Sequence, residues 1–214
     1  SRGFTDTFVE QGLARQLQKL GMHTAMISPF GQRHAAHWFY AGFNEIHNTG
    51  QEGMESAEVV APVVDRWMQA NAANDDWFLH INYWDPHTPY RAPEDYPNPF
   101  ANAPLPAWLE EPGVLARHQK MTGPHTALDV GMYGAAPSST SEQDFPRHPW
   151  SLTSPEELRR MIDGYDTGIR YVDDQVGRIV AQLKAAGIYD ETVIIISADH
   201  GENQGELGIY GEHG

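Results

Sequence analysis

The chain has 214 residues, of which 40% are hydrophobic, 11% aromatic and 20% charged, a composition that is typical of a folded domain and excludes a disordered tail. The formal net charge of −15 argues against a nucleic-acid partner or an anionic membrane surface, because both select basic proteins. The chain contains no cysteine, which excludes a disulfide framework, a thiolate metal site and a cysteine nucleophile. No apolar run approaches the roughly 20 residues that span a bilayer, so we expect no membrane partner.

The N-terminal half alternates predicted helices and strands. Apolar residues recur at helical spacing from Phe8 to Leu20, and Gly21 stands where a C-terminal cap belongs. The elements predicted next are a strand at 23–28, a loop at 29–34, a helix at 56–73 that Pro62 is expected to kink, and a strand at 77–83. A long excursion follows at about 84–150, since 12 of the 15 prolines lie between Pro86 and Pro149.

The C-terminal part begins with the clearest predicted element. Ser154 is a predicted N-cap, Pro155 occupies the first helical position, and Glu157 completes a capping box. Apolar residues continue at three- and four-residue steps up to Gly187, which predicts one long amphipathic helix. A nearly all β-branched run at 193–197 predicts a third strand. This alternation predicts an α/β fold over residues 1–214, with a mostly parallel sheet flanked by helices.

The loops that follow the three predicted strands carry the candidate site residues. Parallel strands joined by right-handed crossovers end at one edge of their sheet, so these loops should meet there. Polar residues in the three loops are therefore site candidates by position alone: Arg33, His34, Asp85, His87, Asp199, His200 and Glu202.

The first candidate motif is the pair Asp199 and His200, at the exit of the third predicted strand. A carboxylate and an imidazole at a rigid strand end can face one ion, and Gly201 allows a close backbone approach. We therefore interpret the pair as metal ligands. The alternative is an aspartate that caps a turn beside a surface histidine.

Two other segments carry candidate residues. Prolines on both sides of His87 hold its backbone, which suits a general acid or an anion ligand, although a rigid turn with an exposed histidine has the same pattern. A glycine-rich loop at 205–214 can bring backbone N–H groups and His213 to an anion, or can be a flexible connection. Aromatic residues of the excursion suit a carbohydrate site and equally a packed surface: Trp84, Tyr90, Trp108 and Trp150.

Three collinear segments form a recognisable pattern. They read Leu13-Ala14-Arg15-Gln16-Leu17 to Gly21-Met22-His23-Thr24-Ala25 with Gly42-Phe43-Asn44-Glu45, then Phe78-Leu79-His80-Ile81 with Pro86-His87-Thr88-Pro89, and then Asp163-Gly164-Tyr165 through Ile179 to Ser197-Ala198-Asp199-His200-Gly201-Glu202. This pattern resembles the sulfatases of the alkaline phosphatase superfamily, and it covers most of the chain, with 92–147 the least similar part.

The resemblance implies an incomplete alkaline phosphatase-like sulfatase core and a metal-dependent sulfuric ester hydrolase. Asp199 and His200 correspond to ligands of a divalent cation, and His87 to a histidine on the sulfate or the leaving oxygen. His213 falls near a cationic residue on the sulfate and is assigned to catalysis together with His87. Calcium is the first expectation, and His200, where many sulfatases have asparagine, leaves magnesium, manganese or zinc open. The implied partner is a sulfate ester, and the alternative is a phosphodiesterase or phosphonate monoester hydrolase of the same superfamily.

The sequence departs from the family pattern at the nucleophile. Sulfatases attack with a formylglycine made from a Cys/Ser-x-Pro/Ala-x-Arg motif, which is absent from this chain, as are the acidic metal ligands that precede it. We therefore expect an internal fragment of a sulfatase catalytic domain that is inactive by itself, with a noncatalytic α/β module as the alternative. The segment 28–34 replaces the family's Gly-Lys-Trp-His segment. Within it, Arg33 and His34 are assigned to substrate binding from shifted positions, with an ordinary solvated loop as the alternative. The chain carries no signal segment, and a periplasmic or secreted location stays open.

Overall fold

The computed structural model describes residues 6–30, 37–50, 55–130 and 144–212. Within these ranges the chain forms three strands and five α-helices, numbered here in chain order. The strands are β1 (His23–Ile27), β2 (Glu45–His47) and β3 (Trp77–Ile81), and the helices are α1 (Asp6–Gln11), α2 (Leu13–Lys19), α3 (Ala57–Asn71), α4 (Val114–His118) and α5 (Pro155–Ala185).

The three strands form one parallel sheet in the order β2, β1, β3. Ile27 at the end of β1 pairs with Ile81 at the end of β3, so these two strands end at the same edge. One residue further along, the Ser28 hydroxyl donates to Asn82 Oδ1 at 3.3 Å. The predicted α/β class, with a parallel sheet and flanking helices, is confirmed. The short strand β2 was not predicted.

The chain divides into two units, residues 1–84 with 174–193 and residues 85–173 with 194–214. In the first unit, β1 is fully buried from Ala25 to Ile27. The apolar face of α3 packs in the same core through Val60, Val64 and Trp67. Burial of each large apolar side chain contributes about 1.5–3 kcal/mol, so this core is the main source of stability for the sheet.

The helices of the first unit follow the predicted pattern with one interruption. Gly12 adopts φ −59° and ψ 142°, which is not helical, so the helix predicted at 8–20 is divided into α1 and α2. Gly21 has φ +94°, the left-handed conformation expected of a residue that ends a helix. Pro62 lies inside α3, which continues to Asn71. In the described part of the chain, no helix combines the length and the apolar character that crossing a membrane requires.

The second unit consists mainly of loops around a core of its own. Its buried residues come from the excursion, from the start of α5 and from the segment before the C-terminus: Tyr90, Leu109, Ala127, Val130, Leu152, Leu158, Met161, Ile162 and Tyr210. The predicted capping box is confirmed, because Ser154 Oγ accepts the N–H of Glu157 at 3.3 Å and the Glu157 carboxylate accepts the N–H of Ser154 at 3.2 Å. These two bonds define the start of α5.

The prediction of a strand at 193–197 was wrong, because the structure forms no strand there. These residues pair with no strand of the described sheet, and Val193, Ile195 and Ile196 are 85%, 74% and 73% exposed. β-branched residues favour an extended backbone, but a strand also needs a partner edge for its N–H and C=O groups. The local preference of this segment therefore predicted an element for which the described structure supplies no partner.

Candidate functional site

His87 lies in the second unit, in a loop that runs against α5. The close approach of this loop depends on Gly168 of α5, because a Cβ atom there would lie 2.8 Å from the carbonyl oxygen of Asp85 and 3.0 Å from the Cα atom of Pro86. Both are shorter than ordinary contacts. The absence of a side chain at Gly168 thus sets the distance between the helix and the backbone that leads into His87.

The His87 imidazole is held by its neighbours in the chain. Its Nδ1 lies 2.6 Å from the carbonyl oxygen of Thr88. Because a carbonyl oxygen can only accept a hydrogen bond, Nδ1 carries a proton, and in the neutral ring the lone pair is therefore on Nε2. Arg91 Nη1 donates to the carbonyl oxygen of His87 at 3.1 Å. The side chain is 17% exposed. The ring therefore has a fixed orientation and a limited opening to solvent.

Asp199 and His200 lie in the exposed segment that follows residues 193–197. The Asp199 side chain is 83% exposed and that of His200 38%. Asp199 Oδ1 accepts the backbone N–H of His200 at 3.1 Å, and His200 Nδ1 donates to the carbonyl oxygen of Gly201 at 3.0 Å. This bond leaves the lone pair of the neutral ring on Nε2, the atom through which such a histidine binds a metal ion.

The structure brings two predicted site residues, His87 and His200, together within the second unit. Their ring centroids are 6.2 Å apart and the ring planes are inclined at 69°. The predicted strand that was expected to position Asp199 and His200 does not form, so their placement depends on loop contacts in the second unit.

Asp199 and His200 fit a metal ion as two of its ligands. Asp199 Oδ2 and His200 Nε2 are 3.5 Å apart, a spacing at which both atoms can contact one cation at ordinary ligand distances of about 2.0–2.4 Å. Over the described residues, no group of three His, Asp or Glu side chains is arranged to hold a metal ion. The assignment of Asp199 and His200 as a pair of metal ligands stays a prediction.

Glu202 is a candidate residue to which the sequence assigned no role. Its side chain is 4% exposed, and its carboxylate accepts the N–H of Thr88 at 2.8 Å and the hydroxyl of Tyr90 at 3.2 Å. Burial raises the pKa of Glu202 to about 7, although these two hydrogen bonds act in the opposite direction. The sequence places Glu202 close to Asp199 and His200. It did not predict the bonds of Glu202 to Thr88 and Tyr90, which lie more than a hundred residues earlier in the chain.

A cleft of about 510 Å³ adjoins Glu202 in the second unit. Its lining combines aromatic rings with carboxylates, among them Phe100, Trp108, Tyr165, Asp163, Asp166 and Glu206. Of the four aromatic residues considered for a carbohydrate site, Trp108 lines this cleft, whereas Trp84 and Tyr90 are buried, 9% and 1% exposed. Trp84 and Tyr90 are therefore packed inside the protein, and they lie neither on its surface nor in this cleft.

Three predicted site residues, Arg33, His34 and His213, lie outside the described residues. Their assignment to substrate binding, and in the case of His213 to catalysis, stays a prediction. The described candidate site consists of His87, Asp199, His200 and Glu202, and Glu202 also lines the cleft.

A model of the sulfatase family matches residues 6–214 of the chain. The chain belongs to the sulfatase family. The resemblance inferred from the three sequence segments is thereby confirmed at the level of the family, and with it the relation to hydrolases of the alkaline phosphatase superfamily.

This sulfatase chain is similar to several named proteins. The multifunctional alkaline phosphatase superfamily protein PehA of Trinickia caryophylli is 30% identical over 143 residues, which are 64% of this chain and 26% of PehA. Choline-sulfatase of Rhizobium meliloti is 24% identical over 183 residues, 81% of this chain and 32% of that protein. Arylsulfatase of Klebsiella aerogenes is 23% identical over 214 residues, 99% of this chain and 42% of that protein. The sulfatase chain thus spans less than half the length of these three relatives.

Proposed function

We propose that the sulfatase containing this chain hydrolyses sulfate esters with the help of a divalent cation. The observation that carries the proposal is the approach of His87 to His200, with ring centroids 6.2 Å apart, in a chain that the sulfatase family model matches over residues 6–214. Besides a nucleophile, hydrolysis of an anionic ester needs a proton donor for the leaving oxygen and positive charge near the sulfuryl group. In this proposal His87 supplies the proton donor. The positive charge comes from a cation that Asp199 and His200 hold.

His87 acts as the general acid in this proposal. Its Nδ1 is occupied by the Thr88 carbonyl, so the proton passes to the leaving alcohol oxygen from Nε2 of the imidazolium. This proton offsets the negative charge that develops on the alcohol oxygen as the ester bond breaks. The 17% exposure of the side chain is consistent with a ring that meets a substrate at one edge.

Asp199 and His200 hold the cation in this proposal, Asp199 through a carboxylate oxygen and His200 through Nε2. When bound, such an ion acts as a Lewis acid that stabilises negative charge on the sulfuryl oxygens. Calcium is the first expectation from the family. Because calcium prefers oxygen ligands, the imidazole of His200 keeps magnesium, manganese and zinc as candidates.

The cleft beside Glu202 supports a carbohydrate-like alcohol as the rest of the substrate. The rings of Trp108 and Tyr165 offer apolar faces, and the carboxylates of Asp163 and Glu206 can accept hydrogen bonds from hydroxyl groups. The lining combines aromatic and aliphatic side chains with several polar ones, a composition that can orient a polyhydroxylated ligand.

The choice of substrate is tested with the full-length sulfatase, assayed on nitrophenyl sulfate and on bis-nitrophenyl phosphate. We expect faster turnover of the sulfate ester. Faster turnover of the phosphodiester would support a phosphodiesterase or phosphonate monoester hydrolase of the same superfamily instead.

The role of His87 is tested with two sulfate esters that differ in their leaving group. His87→Ala should lower kcat for phenyl sulfate by about 10²–10⁴-fold, the usual contribution of a general acid. The loss should be smaller for nitrophenyl sulfate, because nitrophenolate is stable enough as an anion to leave without receiving a proton. Equal losses for the two esters would contradict the assignment of His87 as the general acid.

We further propose that the 214-residue chain is inactive by itself, because its sequence contains no formylglycine motif. Its pair of metal ligands is tested by following thermal unfolding of the chain in calcium, magnesium and manganese. A rise in Tm that Asp199→Asn abolishes, and that the exposed control Asp190→Asn preserves, would support the metal site. Absence of any shift, together with absence of activity, would favour a noncatalytic α/β module.

A further inference from the structure

The Glu202 carboxylate is bonded to the backbone that carries His87. Glu202 Oε1 accepts the N–H of Thr88 at 2.8 Å, and Oε2 accepts the hydroxyl of Tyr90 at 3.2 Å. The partners are separated from Glu202 by 114 and 112 residues in sequence. The carboxylate therefore ties two segments of the second unit together at the loop that contains His87.

This carboxylate is buried at an energetic cost. Only 4% of the Glu202 side chain is exposed, and removing a carboxylate from water is unfavourable unless donors replace the water. The two donors belong to Thr88 and Tyr90, which follow His87 by one and three residues. An apolar side chain would fill the same space without a desolvation cost, but it would leave the N–H of Thr88 without this acceptor. The hydrogen bonds from the Thr88 N–H and the Tyr90 hydroxyl therefore explain why a carboxylate stands at position 202.

A second residue fixes the direction of one of these bonds. Gln204 Nε2 donates to the hydroxyl oxygen of Tyr90 at 2.9 Å, so the Tyr90 hydroxyl accepts from Gln204 and donates to Glu202. Tyr90 is 1% exposed, and its ring packs in the core of the second unit. Oε2 of Glu202 is thus bonded to a residue of the buried core of the unit.

The peptide group between His87 and Thr88 is held at both ends. Its N–H is bonded to Glu202 at 2.8 Å, and its carbonyl oxygen accepts from Arg91 Nη1 at 3.1 Å. The His87 ring is in turn bonded through Nδ1 to the Thr88 carbonyl at 2.6 Å. A rotation of the 87–88 peptide would therefore break the bond to Glu202 and carry the imidazole away from its place beside His200.

We propose that Glu202 is a positioning residue, which fixes His87 for proton transfer by holding the amide of Thr88. The inference rests on the proposed function, in which His87 is the general acid. Removal of a residue that orients a catalytic group in this way commonly lowers activity by about 10–100-fold. Glu202→Ala in the full-length sulfatase should accordingly lower kcat for phenyl sulfate by about 10–100-fold, with KM changed by less than about threefold.

A conservative variant and a matched control separate positioning from general damage. Glu202→Gln keeps an oxygen that can accept the Thr88 N–H, so it should recover most of the lost kcat. Glu110→Ala removes an exposed carboxylate of the same unit and should behave as the wild type. If Glu202→Ala does not fold, Glu202→Asp withdraws the carboxylate by one methylene group and should shift kcat in the same direction.

Hydrogen exchange provides a readout that does not depend on activity. In the full-length sulfatase, the Thr88 amide should exchange at least about tenfold faster in Glu202→Ala than in the wild type, and at nearly the wild-type rate in Glu202→Gln. Unchanged exchange at Thr88 would overturn the inference directly. Faster exchange with wild-type kcat would also overturn it, since Glu202 would then stabilise the loop without affecting catalysis.

The inference and the proposed function fail in different ways. If His87→Ala leaves kcat for phenyl sulfate unchanged, the general-acid role of His87 fails, and with it any catalytic effect of holding Thr88. If His87→Ala lowers kcat strongly and Glu202→Ala does not, the proposed function stands and the positioning role of Glu202 is refuted.

Discussion

Gly168 of α5 lies directly against Asp85, so that a methyl group at Gly168 would come within 2.8 Å of the Asp85 carbonyl oxygen. The atom in the way belongs to the backbone, which cannot move aside as a flexible side chain can. Asp85 is itself fully buried, and His87 follows two residues later. This contact connects the packing of the long helix to the backbone of the candidate site.

Gly168→Ala should therefore destabilise the protein by about 1–3 kcal/mol, the usual cost of overpacking a buried contact. Gly177→Ala is a matched control in the same helix, because a Cβ atom there would have no neighbour within 4 Å. Replacing a helix-interior glycine with alanine in open space should stabilise by about 0.5–1 kcal/mol. Urea unfolding of both variants measures the difference, and equal stabilities would contradict the close approach at Gly168.

Arg147 is expected to hold the first part of the excursion in place. Its guanidinium donates to the carbonyl oxygens of Ala92 at 3.1 Å and Pro93 at 2.7 Å, and also to that of Tyr96. Arg147→Ala leaves these carbonyl groups without their donor, so the free energy of unfolding should fall by about 2 kcal/mol and cleavage near residues 92–96 by proteases should accelerate.

Arg117 supplies the control for Arg147. Its guanidinium lies 3.7 Å from the Glu111 carboxylate, and the two side chains are 59% and 63% exposed. Exposed ion pairs contribute little, so Arg117→Ala should change stability by less than about 0.5 kcal/mol. A loss at Arg117 as large as that at Arg147 would show that the backbone bonds of Arg147 have no special role.

His148 should make stability fall in mildly acidic solution. Burial lowers the pKa of His148 to about 4, although the backbone carbonyl of Val130 acts in the opposite direction. In the unfolded chain the pKa of a histidine is near 6.5, so between about pH 6.5 and 4 the unfolded chain binds more protons than the folded chain. The free energy of unfolding therefore has its full value above pH 6.5 and falls as the pH is lowered through this window.

His148→Phe tests this pH dependence. Phenylalanine does not titrate and keeps a ring against Tyr90, whose ring centroid lies 5.0 Å from that of His148. Between pH 7.5 and 5 the wild type should lose about 2 kcal/mol more unfolding free energy than His148→Phe, measured by urea unfolding at each pH. Identical losses in the two proteins would mean that His148 titrates normally in the fold.

The exposed β-branched segment should tolerate polar substitutions in the 214-residue chain. Ile195 is 74% exposed, whereas Ile27 of β1 is fully buried. Ile195→Thr should change the unfolding free energy by less than about 0.5 kcal/mol, and Ile27→Thr should lower it by about 3 kcal/mol. Ile195→Thr should also reduce light scattering at high concentration, because exposed apolar runs promote association. A large loss of stability in Ile195→Thr would contradict its exposed placement.

Local patterns in the sequence predicted the elements that depend on neighbours in the chain. The capping box at Ser154 and the long helix that follows it formed, because their hydrogen bonds arise within a few residues. The strand predicted at 23–28 formed over His23–Ile27, because β2 and β3 supply the pairing partners that it needs. The same motifs indicated the sulfatase family, which the match over residues 6–214 confirmed. They also selected His87 and His200, whose rings do meet in the second unit.

Contacts between distant residues decided the rest. The strand predicted at 193–197 has strong β propensity, yet a strand requires an available partner edge, and the described sheet does not pair with it. Glu202 was part of the quoted motif, but its bonds to Thr88 and Tyr90 cross more than a hundred residues. By itself the sequence determined the family, the helices α3 and α5 and the chemistry of the candidate side chains. Only the tertiary structure decided which of these side chains meet, because their positions depend on packing and desolvation between segments that are remote in the chain.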